Sequence, residues 1–319
     1  MEQWRSKLPV GAVSAREAAR GAVQAGRSCT AEGRVRHPSP ANPVNALTLD
    51  IEDYFQVSAF EGIAPRAHWD DYPGRVEANT HRLLDLMAEH GVRSTCFTLG
   101  WIAERYPALV RRIVEEGHEL ASHGYDHRRV RDLDDAAFRE DLIRAKGLLE
   151  DAGGALVRGY RAPSFSMDAR TPRAWDALAA TGHAYSSSVY PIRHDHYGMP
   201  DSPLGLHRPN GEGSALEIPV AALPAAGRTW PAAGGGYFRL LPYGVSRWSL
   251  RRINAEGRNA IFYLHPWEID PDQPRMPGIP ARTRFRHYVG LRRTEGRLRR
   301  LLQDFAWDRI DRIFPEVMG

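Results

Sequence analysis

Three carboxylates fall within four positions in "LTLDIEDYF": Asp50, Glu52 and Asp53, directly after an apolar run. Carboxylates this close repel one another; a divalent cation would neutralise one of Glu52 or Asp53 and make it cheaper to hold Asp50 ionised nearby. The competing reading is a solvated loop, with Asp50 capping a turn or a helix. Further along, "SHGYDH" sets His123 and His127 four positions apart, so that in a compact turn both imidazoles reach one ion. A zinc site asks for a third ligand and an open position, and the carboxylate cluster supplies the candidate. In "RGYRAPSF", Arg161 stands two residues before Pro163 and is suited to hold a carboxylate such as Asp50 in one orientation, or else to form a surface salt bridge. In "IFYLHPWE", His265 ends an apolar run as a candidate general acid, or as a satisfied histidine at a rim.

These residues must be placed by elements, and a strand–helix rhythm starts at residue 44. Strand-like runs at 44–51, 92–99, 118–123, 157–163, 184–190, 216–223 and 259–265 alternate with helical patterns at 79–91, 102–117, 132–154, 171–182 and 243–257. Such alternation predicts parallel strands with crossover helices, and about seven strands favour a closed or nearly closed barrel over an open doubly wound sheet. Asp50, His123, Arg161 and His265 then each lie at a strand's C-terminal end, where barrels assemble active sites. No glycine-rich phosphate loop follows a strand, so nucleotide binding has no support. The polar stretch "PIRHDHYG", with Tyr197, is either a substrate-facing or a plain solvent loop. "GGGYFRLLPY" suits close approach of a backbone or a sugar, or a tight barrel corner.

Residues 1–43, rich in Ala, Gly, Arg, Ser and Pro, are expected to form a flexible leader. With 42% hydrophobic and 26% charged residues the chain is an ordinary globular one. Its +4 charge rests on scattered arginines, Lys7 and Lys146 being the lysines, which is weak support for nucleic acid. "RRTEGRLRR", 292–300, reads as a solvated helix face. Two cysteines, Cys29 and Cys96, make neither a disulfide framework nor a cysteine-based zinc site. No segment approaches the ~20 apolar residues of a membrane span and no apolar signal core is visible, so the expected location is the cytoplasm or the inner membrane face.

Taken in order, the acid cluster, His-x-x-x-His, Arg-x-Pro and Leu-His resemble the polysaccharide deacetylases of carbohydrate esterase family 4, the proteins with a NodB-homology domain. "LDIEDYFQVSAF", "SHGYDHRRV", "YRAPSFS", "YPIRHDHYG" and "FYLHPWEID" are most similar to the branch encoded beside exosortase (PEP-CTERM) exopolysaccharide loci. The resemblance implies a distorted (β/α) barrel over 44–270 with a C-terminal helical extension packed on it over 271–319, and a divalent metal ion, zinc by preference, held by one acid, Glu52 or Asp53, with His123 and His127. It implies Asp50 as base, Arg161 as the residue orienting it, and His265 as acid. The backbone N–H of Ser164 is then near the oxyanion, and Ser164, Tyr197 and Trp267 are the candidates for touching substrate. The implied reaction is hydrolysis of N-acetyl groups on amino sugars of an exopolysaccharide or its precursor. Two departures matter. The residue after the first histidine is Gly124 and not Ser or Thr, and Ser186 stands where relatives often carry an aspartate. They motivate a catalytically silent carbohydrate-binding protein as an alternative, beside a small-molecule amide or cyclic-amide hydrolase of the same fold. Alternation along a strand favours Glu52 as the metal acid if the strand runs on, and Asp53 if it bulges.

Overall fold

The computed structural model describes residues 43–318. The expected leader, with Cys29, lies outside the described residues except for Pro43. The chain opens with β1 (Asn45–Ile51), then α1 (Val76–Glu89), β2 (Thr95–Thr98), α2 (Gly100–Arg105), α3 (Pro107–Glu115), β3 (Glu119–Ser122) and α4 (Asp135–Gly153). Next come β4 (Gly159–Tyr160), α5 (Ala174–Ala180), β5 (Tyr185–Ser186), β6 (Leu216–Glu217), and a hairpin of β7 (Ala222–Ala225) and β8 (Arg228–Pro231). The remainder is α6 (Gly235–Leu240), α7 (Tyr243–Ala255), β9 (Ile261–Leu264), α8 (Ala281–Tyr288), α9 (Leu291–Asp304), β10 (Trp307–Asp308) and α10 (Ile310–Ile313).

Neighbouring strands run β9-β1-β2-β3-β4-β5-β6, every pair parallel, which is the (β/α) barrel that the alternation predicts. β6 and β9 do not pair as strands; past the end of β6, Ala221 N–H donates to the Ile261 carbonyl at 3.1 Å. β1 is buried along its whole length. Leu47, Leu49 and Ile51 pack with Leu83, Leu84 and Met87 of α1, while Ala46 joins Phe97, Ala121 and Ile261 in a second cluster. Period-two alternation therefore puts Thr48 and Asp50 on the Ala46 face, with the polar residues of the site.

Four stretches depart from the expected elements. The helix expected over 102–117 breaks at Tyr106 (φ −126°, ψ 56°), because the residue before a proline is disfavoured in the α region, and Pro107 starts α3 afresh. The strand expected over 216–223 stops at Glu217. The chain then forms the antiparallel β7–β8 hairpin, whose turn residues Ala226 and Gly227 both have positive φ (52° and 70°). β10 was not anticipated; it pairs with the first two residues of β1, so the C-terminal segment adds to the sheet as well as supplying helices. Among the described residues no helix is long and apolar enough to cross a membrane.

Candidate active site

Arg161 follows β4 and is fully buried, a costly place for a guanidinium unless every donor is engaged. Its Nη1 donates to Asp50 Oδ1 at 2.6 Å and to Thr48 Oγ1 at 2.8 Å. Its Nε donates to the Ser187 carbonyl and its Nη2 to Ser187 Oγ, both at 2.9 Å. The Phe97 ring lies 4.1 Å from the guanidinium carbon. Asp50 is thus held through one oxygen, and Oδ2 remains directed elsewhere. Ser186, where the resemblance led to the expectation of an aspartate, bonds Ser188 Oγ at 2.7 Å. The serine that meets Arg161 is the next one along. Glu217 supports this run: its Oε1 accepts from Ser188 N and Val189 N, each at 2.8 Å.

Glu52, His123 and His127 present one donor atom each within 4.8 Å of one another, and all three are buried. His127 Nε2 lies 2.9 Å and His123 Nε2 4.0 Å from Glu52 Oε2. That oxygen is buried with no hydrogen-bond donor aligned to it, as befits a carboxylate oxygen that ligates a cation. His123 Nδ1 sits 2.7 Å from the Arg161 carbonyl, so the proton resides there and the Nε2 lone pair is left for an ion. Burial pushes the His123 imidazole down to about 4, keeping it neutral as a ligand must be. Burial alone would raise the Glu52 carboxyl, but the neighbouring His127, with His265 and His123, holds it at about 2. His127 takes a left-handed backbone (φ 59°), which a β-carbon residue adopts only when its surroundings demand it. One acid and two imidazoles fit a zinc-type divalent ion.

Asp53 does not join the trio. The strand ends at Ile51, yet the alternation persists one residue further, so Glu52 shares the face of Asp50 and Asp53 points away. Asp53 Oδ2 accepts from the backbone N–H of Arg75 (2.6 Å) and Val76 (2.9 Å), at the start of α1, and Oδ1 from Tyr54 N (2.8 Å). It caps a helix, as the competing reading of the acid cluster allowed for Asp50.

His265 leaves the end of β9 and stacks on Trp267 (ring centres 5.2 Å apart). Its Nε2 faces Asp50 Oδ2 at 3.8 Å and Glu52 Oε1 at 3.6 Å. Glu268 Oε2 accepts from the His265 backbone N–H at 3.0 Å and lies 3.2 Å from Nδ1. Burial works against a charged imidazole, but the hydrogen bond and charge of Glu268, with Glu52 and Asp50, prevail and lift His265 to about 9. Arg239 Nε donates to Glu268 Oε1 at 2.9 Å and, with His265, outweighs burial to keep that carboxyl at about 2. Gly235 makes room: a Cβ there would overlap the Glu268 carboxylate. Glu268, Arg239 and Ser187 are the site residues that motif reading missed. The available signal was the His-x-x-Glu spacing after Pro266, which lets a carboxylate fold back on the histidine.

The three residues expected to touch substrate are placed unevenly. Trp267 is only 6% exposed, sandwiched between His265 and His287 (4.3 Å), so it supports the histidine and offers no face to a ligand. Ser164 is half-buried in a left-handed turn (φ 56°) with its hydroxyl against that of Ser58. Tyr197 is half-buried, stacks on His194 (3.9 Å) and meets Phe165 (5.6 Å), which places it between the 191–198 loop and the rings beside Arg161. At Gly124 (φ 76°) a Cβ would come within 2.9 Å of Asp141 Oδ2, so a buried carboxylate occupies the space of the side chain that this position lacks.

Two family profiles match the chain: "Polysaccharide deacetylase" over residues 67–185, and "Domain of unknown function (DUF3473)" over 187–315. Among curated relatives, a peptidoglycan-N-acetylglucosamine deacetylase of Bacillus cereus is 32% identical over 84 residues, 26% of this chain and 30% of that protein. A chitooligosaccharide deacetylase of Sinorhizobium fredii is 36% identical over 115 residues, 35% of this chain and 53% of that protein. The chain thus spans between about a third and about a half of these relatives' length. A crystal structure from Mycobacterium smegmatis, described as a polysaccharide deacetylase, aligns over 91% of this chain and 95% of its own with a TM-score of 0.60 at 22% identity, a likeness of fold.

Proposed function

We propose, from the premise that this chain belongs to the polysaccharide deacetylase family, that it hydrolyses N-acetyl groups on amino sugars of an exopolysaccharide or its precursor, with a divalent ion, zinc by preference, held by Glu52, His123 and His127. One juxtaposition carries the reading: the three donor atoms lie beside an oriented carboxylate and a cationic histidine, whose Nε2 is 3.6 Å from Glu52 and 3.8 Å from Asp50. An ion in that trio would supply Lewis acidity toward an acetyl carbonyl and a neighbouring water. Asp50, with Oδ1 committed to Arg161, takes the proton of the attacking water on Oδ2. Arg161 removes the carboxylate's rotational freedom, and misplacement would cost much of the rate. His265 keeps Nδ1–H on Glu268 and gives its Nε2 proton to the leaving amine, so the amide C–N bond breaks with a neutral amine departing. The N–H of Ser164 serves as a donor to the developing oxyanion, and Tyr197 as a contact for a neighbouring sugar. Residues 44–270 form the catalytic unit, and 271–319 complete it through the carbonyls that hold Arg239.

Acetate release from chitooligosaccharides by the purified chain tests this. Activity is expected to vanish with a chelator and to return with zinc. Asp50→Asn is expected to lower kcat by about 10²–10⁴ with metal content unchanged. Undiminished turnover in that variant would overturn the role of Asp50.

A further inference from the structure

Between residues 275–277 and α8 lies a groove of about 610 Å³, within the range of small-ligand sites and outside the site described above. Arg275, Met276, Arg284, Phe285, Tyr288 and Val289 line it, and no carboxylate does. One wall is rigid. Tyr288 Oη accepts from Met276 N at 2.9 Å, and the Arg275 guanidinium carbon sits 4.1 Å from the Tyr288 ring centre. On the other side Phe285 is 58% exposed, an aromatic face left to solvent.

The arginines of this segment divide into two sets. Arg282 and Arg286 each reach Asp195 of the 191–198 loop at 3.2 Å. Arg275 and Arg284, the two in the groove, have no carboxylate partner among the described residues. Two uncompensated guanidiniums beside an exposed ring make a surface for a ligand that is anionic and also has an apolar face. A carboxylate meets guanidinium donors with charge-assisted hydrogen bonds, and a sugar ring lies flat on an aromatic one. The groove's Tyr288 wall is backed by a buried stack of rings that ends at the proposed acid. Tyr288 packs on His287 (4.6 Å), His287 on Trp267 (4.3 Å) and Trp267 on His265 (5.2 Å), so three ring contacts separate it from the proposed acid. We infer that this groove binds a uronate-type, carboxylate-bearing sugar of the polymer, a few units along the chain from the N-acetyl group being cleaved. The inference deepens the deacetylase reading and rests on it for the identity of the polymer.

Calorimetry on the full chain, at low and at raised salt, with a uronic-acid tetramer and with neutral chitotetraose tests this inference. The uronate is expected to bind at least about tenfold more tightly than the neutral oligomer, with the advantage falling as salt rises. The double variant Arg275→Gln/Arg284→Gln is expected to lose about tenfold for the uronate and nothing for chitotetraose. Its acetate release from chitotetraose should equal that of the parent chain, which also shows that the fold is intact. Uronate binding no tighter than neutral, or undiminished in the double variant, would overturn the site. If the parent chain releases no acetate from any acetylated oligomer yet binds uronate through these arginines, the deacetylase reading falls and the anionic site stands.

Discussion

At the scale of single residues, the site is a set of charges each fixed by one specific partner. Arg161 turns Asp50 so that one oxygen is engaged and the other is free, and Glu268 does the same for His265 through Nδ1. The pairing has a consequence for pH. His265 is held at about 9, and as an acid it must be protonated, so activity falls as pH rises through that value. Glu268→Gln removes the strongest partner of the charged imidazole, so the basic limb of the kcat/KM profile should move to lower pH while metal content stays constant. A basic limb that stays in place would show that Glu268 does not set the acid. Gly235 belongs to the same argument, because an alanine there would push the carboxylate off the histidine.

At the scale of elements, the acid cluster splits its labour. Glu52 stays with the face of β1 that carries Asp50, whereas Asp53 turns away and caps α1. The start of α1 has no side-chain cap of its own, so the loss of Asp53 leaves two backbone donors buried without acceptors. Asp53→Ala should therefore cost about 1–2 kcal/mol in denaturant unfolding, the range for losing a helix cap. Equal stability of the two chains would refute the capping role. A second tie runs through Arg239 on α6. It gathers the carbonyls of Arg286, His287 and Val289 at the end of α8 and holds Glu268 with its remaining nitrogen. The C-terminal segment thereby reaches the acid histidine without touching it.

For the molecule as a whole, the strands' opposite end carries a different balance. Glu119, first in β3, accepts from Thr95 Oγ1 at 2.6 Å and Tyr185 Oη at 2.7 Å, with Asp311 N at 3.3 Å, and so fastens α10 beneath the barrel. Burial, and then the charge of Asp311, push its carboxyl up to about 7. Asp311 is itself paired with Arg309, and Asp308 and Arg312 lie alongside. A folded-state value above the unfolded one of 4.5 means that the contribution is fully present below about pH 4.5 and is lost as pH rises through about 7. Glu119→Gln keeps the neutral form, so its melting temperature should gain on the parent chain's between pH 5 and 8. A constant difference across that range would exclude the titration of Glu119 as the cause.

The barrel was legible in the residues alone, because helix and strand periods differ and parallel strands need crossover helices. The same alternation put Asp50, His123, Arg161 and His265 on one face, because residues ending parallel strands gather there whatever the details between them, and His127 followed from its spacing to His123. Tertiary structure decided what depends on direction or on distant chain. Which of Glu52 and Asp53 stands by the histidines turned on whether alternation outlived the strand, a matter of one peptide's orientation. Ser187, Glu268 and Arg239 became partners only when β5, β9 and α6 were brought together, and no local spacing encodes the meeting of Arg239 with Glu268. Trp267, a candidate for touching substrate, is instead buried by its neighbours, stacked between the His265 and His287 rings.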